Sequence, residues 1–439
     1  MSFANAMRPR PREKFTLRGW AAALTTMATA MLSAQSLIAL HDNYAFGGVL
    51  EKMHPATYLG AVFVGLQTLL PGRERLFAVF RENRGAILLP VSVIILAIYV
   101  LAFLATPATV LIDTWVLAVA IFVLCAQLNA LETAVLRNLL SFWLVLNALV
   151  GIGEVIANKH VVPLAVGVSA LGAYSYPMEW RAGAFLGLPL SNAYLTACFL
   201  LLLLLDHRIK TFCLRLPALA ICGISLLAFG SRAAIALLAP VLIAALAWQV
   251  ARSLLRGRIA KDLLIYLYGS LFAAVTGLPI LLATGFADRF IARFTLDNGS
   301  ASARSGAMEM AANLPLSQWI TGIPHLEMLQ MGARFGVGAA IENFWLSFML
   351  SYGLIGYLIF MPSLFLFCRD LVRKGGPAAT PVLIYFFLLC STSVSLASKN
   401  LMFAILTGLL ATSRNVIAMR IGRAAARSAL GAPQPRMSS

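Results

Sequence analysis

Four arginines and one carboxylate carry the chemistry that this sequence offers. Arg181, Arg232, Arg304 and Arg334 fall in segments between apolar runs. A guanidinium fork matches two phosphate oxygens at once, so outward-facing arginines point to phosphate or diphosphate binding. Arg232 is the sharpest case. It sits in Gly230-Ser231-Arg232, wedged between two apolar runs with almost no loop. A cation at such depth is costly unless it is paired or functional, although a snorkelling residue at a tight turn would also fit. Arg181 follows Glu179 and precedes Gly183, Gly187, Pro189 and Asn192. It reads as a clamp residue or as half of a Glu179–Arg181 salt bridge. Arg304 either pairs with Glu309 or faces an anion, and Arg334 reads as a surface residue.

Glu342-Asn343 opens a long apolar run at Phe344-Trp345-Leu346. A carboxylate at a membrane boundary among aromatics is partly desolvated, which makes it a better general base. The alternative is helix capping, which an acid and an amide at a helix start serve well. His325 follows Gly322-Ile323-Pro324 and is either a base or a plain loop residue. No HExxH, GxSxG, Walker or GxGxxG context occurs, and no paired aspartates mark a nucleotide-sugar metal site. The six cysteines lie in or beside apolar runs without CxxC spacing, as buried small hydrophobes do. No metal and no cofactor are expected.

The elements that position these residues follow from composition. Of 439 residues 60% are hydrophobic and 12% charged, which leaves too little polar surface for a soluble globule. Apolar runs fall at 17–40, 56–71, 86–105, 109–131, 138–157, 189–206, 214–230, 233–251, 263–284, 343–368, 377–397 and 400–419. The first is too long for a signal-peptide core, so it is read as a span. The expectation is an all-α polytopic membrane protein of about twelve transmembrane helices. Its segments are a basic tail over 1–16, nine spans over 17–284, an outer loop over 285–341, three spans over 342–419, and a tail over 420–439. The net charge of +17 does not indicate nucleic acid, because the basic residues are scattered through short loops. Nine of the 34 Lys and Arg fall on one side (Lys52, Lys159, Arg181, Arg232, Arg289, Arg293, Arg304, Arg334, Lys399) and the remaining 25 on the other. The positive-inside rule then puts both termini in the cytoplasm and the 285–341 loop outside. The basic tails suit anionic lipid headgroups. Within the loop, Ala307, Met310, Ala311 and Leu314 share one helical face, ended by Pro315.

Three stretches, in order, resemble the bacterial O-antigen ligase and O-antigen polymerase superfamily. They are Arg181-Ala182-Gly183-Ala184-Phe185-Leu186-Gly187-Leu188-Pro189 with Asn192; Gly230-Ser231-Arg232-Ala233-Ala234; and Ser302-Ala303-Arg304-Ser305-Gly306 followed by Pro315 to Gly322. A closing stretch, Glu342-Asn343 then Gly353-Leu354-Ile355-Gly356, keeps the family's spacing. The matched region runs from about 175 to 360. The resemblance implies a GT-C-like fold in the bacterial inner membrane with a periplasmic active site. It implies a metal-independent, inverting glycosyltransferase, with a donor glycan on undecaprenyl pyrophosphate and a second glycan or lipid A core as acceptor. Arg181, Arg232 and Arg304 would hold the pyrophosphate, and Glu342, oriented by Asn343, would serve the acceptor. Family ligases carry histidine where this chain has Glu342, which favours a polymerase over a ligase. Two rival classes are a multi-span transporter and a flippase for lipid-linked glycan. A transporter would carry inverted repeats and midplane acids, and neither is evident.

Overall fold

Backbone in lipid must satisfy its own N–H and C=O groups, and a helix does so within one segment. The computed structural model describes residues 14–40, 51–69, 73–104, 108–162, 180–205, 212–255, 300–337, 341–393, 396 and 399–413, with isolated positions between 257 and 291. Among these, regular structure is helical throughout. Glu179, residues 1–13 and 414–439 and most of the 263–284 run lie outside the described residues.

The chain runs through α1 (Leu17–Met31), α2 (Ala34–Leu40), α3 (Pro55–Leu69), α4 (Arg73–Glu82), α5 (Gly85–Leu104), α6 (Thr109–Ala126) and α7 (Ala130–Ala157). It continues with α8 (Pro189–Leu205), α9 (Phe212–Phe229), α10 (Arg232–Leu255), α11 (Ser300–Ala312), α12 (Leu316–Thr321) and α13 (His325–Arg334). The last three are α14 (Phe344–Gly375), α15 (Ala379–Cys390) and α16 (Met402–Ser413). Four of these, α5, α6, α7 and α14, are long and apolar enough to cross a membrane. Helix α5 exposes Ile87, Val91, Ile94, Ile98 and Leu101 while burying Leu89, Val93 and Leu96. A helix apolar on both faces, with one face uncovered, belongs against lipid.

Local signals explain the ends. Asn129 caps α7 in a full capping box with Glu132, and Asn158 closes it in the left-handed conformation. Over 28 residues α7 rises about 42 Å, beyond the ~30 Å hydrocarbon core. Two expected runs are shorter than their hydropathy suggests. The 17–40 run breaks at Leu32–Ser33, and the 109–131 run ends at Ala126 so that Asn129 can start the next helix.

Polar groups gather at two poles. At the first, Glu132 accepts from the Thr16 N–H at 2.8 Å and from its hydroxyl at 2.6 Å. There too, buried Asp370 accepts from the Gly85 N–H at 2.7 Å and pairs with Arg369 at 3.1 Å. At the second pole lie the starts of α3, α8, α10 and α16 and the end of α7. Aromatic packing fills the space between, with Trp115, Phe344, Phe348, Phe360 and Phe403 fully buried.

Helix α14 departs from the expected straight span over 343–368. At Gly353 the backbone turns to φ 67°, ψ 177°. Phe348 and Phe360, twelve residues apart, would stand about 18 Å apart along a straight helix. Their rings stack at 4.6 Å. Trp115 likewise touches both Phe344 (6.0 Å) and Phe360 (4.9 Å). The segment 344–352 therefore folds back along the following helix, and Gly353 is the tip of a helical hairpin. The tip is gripped by the outer helices: the Ile323 N–H donates to Leu350 O at 2.8 Å, and a Cβ on Gly353 would lie 2.3 Å from Ile320 O. Only glycine fits there.

The outer helices α11–α13 have a small core of their own. Ala307, Met310, Ala311 and Leu314 are all buried, as their spacing predicts. Ile323, Val337, Ile341 and Leu350 complete the cluster.

Candidate functional site

The fold-back brings Glu342 and Asn343 into the bundle's second pole. Asn343 is the N-cap of α14, its side chain accepting from the Leu346 N–H at 3.1 Å. Capping is thus a role Asn343 fills. Glu342 is left to interact, and Arg304 of α11 reaches it at 3.4 Å. Glu309, the other partner considered for Arg304, lies farther along the same helix. Both members of the pair are roughly half exposed, at 55% and 43%. An exposed pair of this kind contributes at most about 1 kcal/mol, so either member is free to exchange its partner for a ligand.

Arg232 and Arg181 approach each other through the backbone. The Ala182 N–H donates to Ala228 O at 3.2 Å, laying the Arg181 segment against the end of α9. Two residues on, Gly230 (φ 64°) turns the chain, and Ser231 caps α10 by accepting from the Ala234 N–H at 3.3 Å. Arg232 is half-buried at the first position of α10. A guanidinium at the positive end of a helix dipole is unfavourable alone, and an anion beside it satisfies both.

Two tyrosines brace the same pole. The Tyr194 hydroxyl of α8 sits 3.1 Å from Thr392 Oγ1. The Tyr385 hydroxyl donates at 2.6 Å to Ala234 O in the first turn of α10, beside the turn that carries Arg232. Trp345 Nε1 donates to Ser391 Oγ at 2.8 Å, fixing the turn next to Glu342. No protein-family model and no curated protein matches this chain. Its site is therefore read from its own geometry.

His325 and Arg334 lie on the short helix α13. They are the exposed first and last residues of α13, and Arg334 lies 6.0 Å over the Phe335 ring.

Three features went unassigned in the sequence. Glu154, at the end of α7, has a fully buried side chain, and its carboxylate organises the 180–188 loop. Asn147 accepts from the Phe185 N–H at 3.1 Å and donates to Asn192 Oδ1 at 2.7 Å. Asn192 donates to Gly183 O and Leu188 O. Beside them is a second buried ion pair, Lys399–Asp113 at 2.8 Å. Asp113 also accepts from the His54 N–H at 3.0 Å and from Thr57 Oγ1 at 2.6 Å. Burial lowers the Lys399 ammonium from its usual range, opposed by the attraction of Asp113. Burial likewise lowers the His54 imidazole, opposed by its bond to Leu32 O and by Asp113. The sequence signal is weak for all three: a polar side chain inside or at the edge of an apolar run, which a boundary residue also gives.

Proposed function

We propose that the protein is a glycosyltransferase of the bacterial inner membrane that polymerises glycan units carried on undecaprenyl pyrophosphate. In this reading it spans the membrane about twelve times, with both termini in the cytoplasm. The second pole, with α11–α13 and Glu342, faces the periplasm. The single observation that carries the reading is the pairing of Arg304 with Glu342 at a pole whose turns also hold Arg181 and Arg232. Guanidinium groups and a carboxylate are the two kinds of group that such a transfer needs. The resemblance of the same four stretches to O-antigen polymerases and ligases supplies the substrate class.

The step follows from those groups. An acceptor hydroxyl attacks the anomeric carbon of the donor glycan, and a new C–O bond forms. The bond from that carbon to the diphosphate oxygen breaks, and its electron pair leaves with the lipid diphosphate. Arg181, Arg232 and Arg304 stabilise the charge gathering on the leaving group. Glu342 takes the proton released by the acceptor hydroxyl. Attack opposite the leaving group inverts the anomeric configuration.

The test is deletion of the gene followed by a glycan profile. Loss of long chains with single repeat units retained supports polymerisation. Loss of all glycan from the lipid A core, with lipid-linked polymer accumulating, identifies a ligase instead. An unchanged profile together with loss of solute uptake overturns the reading in favour of a transporter.

A further inference from the structure

We infer that Glu154 is a positioning residue for the phosphate clamp, acting on Arg181 through the backbone of the 180–188 loop. The inference rests on the proposed role of Arg181. The geometry is that of an internal anion held in a nest of amides. Glu154 Oε2 accepts from the Gly183 N–H at 2.7 Å and the Ala184 N–H at 2.9 Å. Its Oε1 accepts from the Val161 N–H at 2.6 Å. His160 Nδ1 lies 3.6 Å from the same carboxylate, and the His160 ring stacks on Trp180 at 4.6 Å, next to Arg181. One buried side chain thus fixes the chain on both sides of the 163–179 segment.

The loop needs that anchor. Ala184 is held at φ 41°, a left-handed conformation that costs a non-glycine residue about 1 kcal/mol or more. Two consecutive N–H groups at Gly183 and Ala184 point the same way and require an acceptor with two free lone pairs. A carboxylate supplies it. Glutamine cannot serve all three N–H groups, because one of its two terminal atoms is a donor and would face either this pair or the Val161 N–H. Removal of the acceptor leaves buried amides unpaired and releases the loop from α7. The loop then keeps only its weaker ties, the Ala182 N–H to Ala228 O and the amides of Asn147 and Asn192, and the Arg181 segment is placed less firmly against the Arg232 turn.

The experiment compares Glu154→Gln, Arg181→Ala and the double variant in the full-length protein. Amide hydrogen exchange over 181–187 reads the loop, and transfer kinetics with a lipid-diphosphate-linked glycan read the clamp. We expect Glu154→Gln to speed exchange at Gly183 and Ala184 at least tenfold and to raise the donor KM about tenfold, with a smaller change in kcat. In the Arg181→Ala background, Glu154→Gln should add less than a twofold further rise in KM. A purely structural role predicts instead equal effects in both backgrounds, and that result overturns the inference. Unchanged exchange at 183 and 184 overturns it as well. If Glu154→Gln does not fold, Glu154→Asp keeps the charge at a shorter reach and should show the same pattern at smaller size. A wild-type protein that transfers no glycan defeats the proposed function, while the exchange measurement still decides whether Glu154 holds the loop.

Discussion

At the scale of single residues, Glu342 and Asn343 sit side by side and do different work. Asn343 spends its side chain on the Leu346 N–H, so Asn343→Ala should cost about 1 kcal/mol of stability, seen as a lower thermal midpoint, with Asn343→Asp near wild type. Glu342 pairs with Arg304 and is half exposed. Glu342→Gln should leave the thermal midpoint within a degree or two and slow transfer by about two to four orders of magnitude, as loss of a positioned base does. Rates within threefold of wild type would remove Glu342 from the chemistry. Arg304→Ala tests the same pair from the other side and should weaken donor binding. The sequence made the types of these residues legible, because an acid and an arginine beside apolar runs are costly enough to stand out. It left the Arg304–Glu342 pairing illegible, since 38 residues and two further helices separate the two. Glu154 was hidden for the opposite reason. A carboxylate at the end of a span looks like a boundary residue until the amides that surround it are seen.

Between elements, the fold-back at Gly353 is where hydropathy reasoning falls short. The run from Phe344 to Cys368 carries no charged residue, and an apolar run does not say whether it crosses once or doubles back. The informative signal was a glycine in the left-handed region, which in the sequence is one of 32. Gly353→Ala combines a positive φ with a Cβ 2.3 Å from Ile320 O. The backbone penalty alone is about 1–2 kcal/mol, and the clash adds to it. Loss of folded, detergent-stable protein is expected, while Gly336→Ala, at the same sign of φ but in open space, should keep its fold with a small drop in midpoint. The joint between α1, α3 and α6 carries a pH dependence. The His54 ring accepts from the Ala56 N–H at Nδ1 and meets Leu32 O at Nε2, so the neutral form fits and a second proton displaces the Ala56 bond. Its affinity for protons is lowered by burial, so below about pH 6.5 the unfolded chain binds more protons than the folded one. Stability from this group is therefore complete above that pH and declines as the pH falls. The thermal midpoint should drop between pH 7.5 and 5.5, by less in His54→Gln than in the wild type.

Across the whole molecule, the alternation of helices puts Glu132, Asp370, Arg369 and Arg373 at one pole and Asp113, Glu154, Lys399, Arg232 and Glu342 at the other. Charge counting in the loops predicts which pole is cytoplasmic. Single cysteines placed at Asn158 and His325 should react with an impermeant thiol reagent in intact cells, and those at Asn83 and Gly376 only after lysis. The reverse pattern would invert the orientation and remove the site from the periplasm. The all-helical class was legible from composition, because nothing else crosses lipid with so few charges except a closed barrel, whose alternating pattern is absent here. The course of the outer helices was only half legible: one amphipathic face told of a helix but not of what it covers. The outer helices hold the 342–352 limb at both ends, by Ile320–Ile323 at its tip and by Arg304 at its base. The limb is thus fastened twice, to the cap at both its ends and to the bundle through Phe344, Phe348 and the Trp345–Ser391 bond. A shift of the cap would therefore have to break either the Arg304–Glu342 pair or the aromatic seating of the limb, so the position of one carboxylate registers where the cap sits.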